Sequence, residues 1–189
     1  MTLKTFAALA VTCLPFLDAG LPLGPAASGA EPAEIRFLDV KSGCRMVHAG
    51  TLHVADGVIQ VRRRAFLDRS RNVTGFPGAD ARIFSVVDSD ADPKTSDGKA
   101  WGTFVRVYDT IPATIYGTYS GVIVGGVFSG AATGRGTGSL EGYRFDAVVR
   151  QMTIAELPGG DPCPPPGSLH KTGQTLDSTL TLDGAAATP

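Results

Sequence analysis

The sequence predicts an all-β protein, a small closed antiparallel β-barrel of about eight strands preceded by a signal peptide, and three observations point there. Nine glycines fall between Gly117 and Gly142, at 117, 121, 125, 126, 130, 134, 136, 138 and 142, mostly four residues apart. Four is twice the strand period, so Gly117 and Gly121 share one face of an extended segment, and Gly130, Gly134, Gly138 and Gly142 share one face of the next. The step from Gly125 to Gly126 breaks the phase as a turn does. Secondly, no long stretch repeats at the helical period, and Gly, Pro and Asp interrupt the chain about every ten residues. Thirdly, the uncharged segment IPATIYGTYSGVIVGGVFSGAATG is rich in Thr, Ser, Tyr, Val and Ile, which suit a pleated surface. A membrane helix with the same GxxxG spacing would carry a long Leu/Ala/Phe run instead. Glycines repeated on one strand face mark bends or the close approach of another backbone or ring, and a tightly curved sheet needs both.

Taken in order, residues 1–30 read as a secretory signal and spacer. Lys4 precedes an apolar stretch from Phe6 to Leu17 that is too short to span a bilayer, and Ser28 and Ala30 supply small residues for cleavage before Glu31. A secreted or periplasmic location follows. The mature chain then keeps Cys44 and Cys163, an even pair in an oxidising compartment and the expected disulfide, which ties the first strand region to GGDPCPPPG. Two free thiols or a metal pair are the alternatives, and no His or Cys stands at ligand spacing from either cysteine.

The barrel core is expected over 31–157. A hairpin joins MVHAGTLHV to VIQVRRRAFL through Ala55-Asp56-Gly57, where Asp-Gly supplies positive φ. Strict alternation in its second strand puts Ile59, Val61, Arg63, Ala65 and Leu67 on one face, with Arg62 and Arg64 on the other. The strands ARIFSVVD, AWGTFVRVYD, ATIYGTYSGVIV, GVFSGAAT and SLEGYRFDAVVRQMTI follow. In the last, Glu141, Tyr143, Phe145, Ala147 and Val149 form the more apolar face. Residues 158–189 form a Pro-rich crossing and a tail in which TLDSTLTLDG supplies an edge or closing strand.

Chemistry-bearing motifs are sparse. Asp88, Asp90 and Asp92 start like a calcium loop, but Pro93 stands where the sharp turn needs Gly and Lys99 where a bidentate Glu would be. Gly134-Arg135-Gly136-Thr137-Gly138 precedes a strand pattern rather than a phosphate-binding helix. His48, His53 and His170 form no metal-ligand pattern, and no GxSxG elbow occurs. No cofactor is expected. The net charge of −1 gives no footprint for nucleic acid or anionic lipid. The remaining candidates are Arg63 and Glu141, charges on apolar faces, with Tyr143 beside the second. Pointing inward, they would orient or protonate a polar head while Trp101, Tyr143 and Phe145 line an apolar cavity, with Glu141 and Tyr143 as candidate acid/base groups. The alternative is a salt bridge at the barrel rim.

The run from about His53 to Val149, with AWGTF, YGTYSG and GRGTGSLEGYRFD, resembles small secreted barrels of the allene oxide cyclase and dirigent type, within the calycin-like barrels. That resemblance implies an eight-stranded antiparallel barrel whose interior binds apolar molecules, some members catalysing cyclisation or steering coupling without a cofactor. None of their catalytic residues aligns with a position here. Three functions stand side by side: a secreted barrel that binds a small, mostly apolar ligand; a cofactor-free cyclase or isomerase acting in the same cavity; and a filled structural barrel used for surface interactions. A small apolar molecule is the expected partner, with no nucleic acid and no stable membrane span in the mature chain, and oligomeric state is open.

Overall fold

The computed structural model describes residues 33–76 and 80–183. The expected signal segment falls outside the described residues. Nine strands follow one another: β1 (Glu34–His48), β2 (Thr51–Ala55), β3 (Val58–Thr74), β4 (Ala81–Ala91), β5 (Gly98–Tyr108), β6 (Ala113–Val124), β7 (Val127–Gly138), β8 (Tyr143–Thr153) and β9 (Thr172–Leu182). Each pairs antiparallel with its sequence neighbour from β2 to β9, except that β1 is reached through β9 and also through β3. Those two pairings close eight strands into a barrel and leave β2 outside it, hydrogen-bonded to β3. The barrel expected from the sequence is present, and TLDSTLTLDG supplies its closing strand, seated between β8 and β1.

The turns follow from backbone chemistry. Asp56 (φ 52°) and Gly57 (φ 76°) join β2 to β3, and Gly125 (φ 56°) and Gly126 (φ 81°) join β6 to β7. Two consecutive positive φ angles match the twist of a two-residue hairpin. The strand expected over Met46 to Val54 is divided at Gly50, which has φ 77° and approaches β3 so closely that an added Cβ would meet Arg62 O at 2.4 Å.

A bulge reorganises β3. Val61 pairs with Ser89 and Arg64 with Val87, so Arg62 and Arg63 together stand opposite Asp88. Arg63 takes φ 56°, and its N–H donates to Asp88 Oδ1 at 2.6 Å. The extra residue reverses the alternation beyond it, as a one-residue slip must. The inward face after the bulge therefore carries Phe66 and Asp68, not Ala65 and Leu67 as strict alternation had placed them.

The glycines of β6 and β7 face each other across the ladder, Gly117 opposite Gly134 and Gly121 opposite Gly130. An added Cβ on Gly121 would meet Gly130 Cα at 2.6 Å and the Phe128 ring at 2.8 Å. Their bareness is what leaves room for the Phe128 ring beside the pair. Gly142 departs from the expected strand face: β7 ends at Gly138, and Gly142, with φ 82°, belongs to the turn before β8.

One end of the barrel is filled by rings. Phe76 packs at a tilt between Phe37 (ring centres 5.2 Å apart) and Tyr108 (5.3 Å), with Phe145 beside Phe37 and with Ile115 and Leu180 fully buried. The expected disulfide joins Cys44 to Cys163 and ties the β8–β9 connection to β1. That connection is held further by Arg71 Nη1, which donates to Gly159 O at 2.7 Å. Among the described residues no helix is long and apolar enough to cross a membrane.

Candidate functional site: the barrel interior

Beyond the ring layer the barrel is hollow, with a cavity of about 300 Å³. Strand alternation builds its wall. Ile83 and Val87 come from β4, Phe104 from β5, Ile123 from β6, Phe128 from β7 and Val149 from β8, all apolar and all at inward positions. At the opposite end from the rings lie Gln151, Gln174 and the exposed His170, whose ring meets Phe66 edge-on at 6.2 Å.

Two polar groups interrupt this apolar surface. On the wall, Lys41 Nζ lies 2.9 Å from Asp68 Oδ2, and Ser85 Oγ donates to the same oxygen at 2.7 Å. At the floor, Arg106 is only 1% exposed; its Nη2 lies 2.6 Å from Asp39 Oδ2 and donates to Ser70 Oγ at 2.8 Å. Its guanidinium carbon also sits 4.9 Å from the centre of the Tyr108 ring and 5.8 Å from that of Phe37. Each buried charge thus has an opposite partner, which is the condition for burying it at all. Burial pushes the Asp39 carboxyl above the ordinary carboxylate range, against the opposing pull of Arg106. It pushes the Tyr108 phenol up to about 12. Burial likewise holds the Tyr119 phenol well above its usual value, and Tyr119 Oη donates to Val86 O at 3.2 Å.

The structure separates the residues singled out from the sequence. Phe145 lines the cavity, and Tyr143 is buried in the adjoining core without reaching the cavity wall. Arg63 is exposed, because the bulge turns it out of the alternating face. Glu141 is exposed in the β7–β8 turn, where its N–H donates to Gly138 O, so the inward face of β8 starts only at Tyr143. Trp101 lies on the outer face, flanked by Arg62 at 5.2 Å and Lys99 at 5.4 Å, since Phe104 and Arg106 take the inward parity of β5. Arg63, Trp101 and Glu141 are thus outside the cavity. In their place stand Lys41, Asp68, Ser85 and Arg106, which the sequence reasoning missed. Arg106 carried a usable signal, a charge alternating with Phe104 and Tyr108; Asp68 did not, because the bulge disguised its parity.

No family model, curated protein or solved structure matches this chain. The site must therefore be read from its own chemistry. Among the described residues no three His, Cys, Asp or Glu side chains converge to hold a metal ion. The arrangement can desolvate an apolar body, hold it between rings, and offer a charged donor, Lys41, at the wall.

Proposed function

We propose that this protein is a secreted barrel that binds a small, mostly apolar molecule in its interior. One observation carries the proposal: the space inside the strands is not filled by side chains, and at about 300 Å³ it stands at the lower end of small-molecule sites. The third possibility, a barrel packed solid along its axis, is disfavoured by the same space. Phe145, Phe104 and Phe128 supply the apolar contacts, and the polar contacts pass from Arg63 and Glu141 to Lys41 and Asp68. Export is supported by the Cys44–Cys163 bond, which an oxidising compartment preserves. Kinship with the allene oxide cyclase and dirigent barrels is part of this proposal, resting on the Gly-and-aromatic motifs and the eight-stranded architecture.

A cyclase or isomerase in the same cavity is the second possibility, favoured by the Lys41–Asp68–Ser85 cluster on its wall, in which Asp68 and Ser85 are buried and Lys41 is partly exposed. Asp68 and Lys41 would then move the proton, since Glu141 does not reach the cavity.

Ligand entry is tested with phenylnaphthylamine, a neutral dye that brightens in apolar surroundings. The wild type should bind it saturably, and Ala132→Phe, which puts a ring into the cavity from β7, should abolish binding while retaining the strand circular-dichroism spectrum. Equal binding by a folded Ala132→Phe variant would place the dye elsewhere and sink the proposal.

A further inference from the structure

The apolar surface of the cavity does not stop at the barrel. Residues directly opposed in an antiparallel ladder project from the same face of the sheet, so the pairing register traces that face from strand to strand. One row runs from Ala100 and Ser89 in the cavity wall to Val61 on β3 and Leu52 on β2. The next runs from Ile123 in the wall through Gly98 and Ala91 to Ile59 and Val54. Neither row contains a charge, and Ala91 and Gly98 carry almost no side chain to obstruct a molecule passing over them. Both rows lie away from the ring layer, which β4 meets at its other end, where Ala81 pairs with Tyr108.

The β2–β3 hairpin that receives this track has two unlike faces. Thr51, His53, Gln60 and Arg62 occupy the opposite face, where Arg62 Nη2 lies 2.6 Å from Asp90 Oδ1. On the track face Val61 is only 8% exposed, whereas Leu52 and Val54 are 62% and 68% exposed. A strand bathed in water on both sides gains nothing by alternating; apolar and polar residues alternate where one face has a partner. Continuity with the cavity wall names that partner. A compact molecule that fits the cavity would leave the track bare, and a slender chain reaches both. We propose that the ligand is an elongated molecule with a hydrocarbon chain longer than the cavity, and that the end of this chain leaves the mouth and lies along Leu52, Val54 and Ile59. This rests on the interior being a binding site at all.

The test is displacement of phenylnaphthylamine by n-alkanols from hexanol to tetradecanol, each kept below its solubility limit and referred to the dye affinity of the same protein. A methylene enclosed on all sides strengthens binding ~4-fold, and one lying with a single side against the track ~2-fold. Affinity for the wild type should go on rising by ~2-fold per methylene beyond the length at which the Leu52→Ser/Val54→Ser variant levels off. Both proteins should bind hexanol and octanol equally, which shows that the variant is folded with its cavity intact. His53→Ser, on the opposite face of the same strand, should follow the wild type throughout. Coincident series in the wild type and the double variant would overturn the track while leaving the interior site standing. Displacement by none of the alkanols would count against the interior site itself, and the track with it. A ligand-free wild type that sediments as a dimer beside a monomeric double variant would also overturn the proposal, because a second copy would then be what covers Leu52 and Val54.

Discussion

The sharpest stability prediction concerns Gly121→Ala. In a strand interior this exchange ordinarily helps, because glycine costs roughly 0.5–1 kcal/mol in backbone entropy relative to alanine. Here the new methyl would meet Ser129 O at 2.2 Å, Gly130 Cα at 2.6 Å and Phe128 Cε2 at 2.8 Å. Two of the three are backbone atoms of the paired strand, so rotating the Phe128 ring cannot relieve the contact. Overpacking of this kind costs typically 1–3 kcal/mol, and backbone obstruction puts it at the upper end. Subtracting the entropic gain leaves a net loss of about 2 kcal/mol, or about 4–8 °C in Tm for a domain of this size. Thermal unfolding followed by circular dichroism reads the shift. Gly130→Ala meets Ser120 O at 2.3 Å and Gly121 Cα at 2.8 Å and should behave alike. Gly125→Asn is the control: φ is 56°, nothing lies within 4 Å of the added Cβ, and Asn tolerates that conformation, so Tm should hold to within about 2 °C. If Gly121→Ala melted at or above the wild type, the close approach of β6, β7 and Phe128 would not be what requires glycine.

Replacing Cys44 and Cys163 together by Ser opens a loop with a sequence separation of 119 and should cost about 4–5 kcal/mol in the loop-entropy model, read as a lower urea midpoint. A loss below ~1 kcal/mol would show that the bridge fastens only the β8–β9 connection. Arg106→Met leaves the Asp39 carboxylate buried without its cation and should destabilise by about 3–5 kcal/mol, whereas adding Asp39→Leu to it should recover most of that loss. Tyr108 has a folded pKa pushed up to about 12 from an ordinary 10.0, so its contribution is complete below pH ~10 and is lost as pH rises towards ~12, amounting to ~3 kcal/mol. Tyr108→Phe should flatten that part of the alkaline stability curve. Near neutral pH it should leave stability unchanged or improved, because the buried hydroxyl has no hydrogen-bond partner among the described residues.

What the sequence revealed and what it hid divide along local and non-local lines. Asp56-Gly57 and Gly125-Gly126 are legible as hairpin turns because positive φ is a property of the residues themselves. Phe145 is legible as an interior residue because β8 alternates without interruption from Tyr143 to Val149. Arg63 misleads because its phase depends on a bulge, and the bulge exists only in the pairing of β3 with β4. Glu141 misleads by one turn: the alternation is read back through Gly142, whose φ of 82° marks the end of the strand. The cavity is the least legible feature. Whether rings fill a barrel or leave space depends on their placement along the axis, and four of them gather near one end.

That placement also explains how a barrel with so many bare glycines keeps a single register. Both interior ion pairs have one partner on β1: Asp39 reaches Arg106 on β5, and Lys41 reaches Asp68 on β3. The same strand carries Cys44 and three register irregularities against β3. A one-residue slip of β1 would turn Asp39 and Lys41 outward and leave Arg106 and Asp68 buried without partners. Each stranded charge costs about 3–5 kcal/mol, a penalty comparable to the whole stability of an ordinary domain when taken twice. The glycine ladder of β6 and β7 has few side chains to resist slippage by itself, and in a closed barrel a register error in any strand must be absorbed by the others. Fixing β1 through two charges and a disulfide therefore fixes the remaining seven, and three of the groups that enforce register, Lys41, Asp68 and Arg106, also line the cavity.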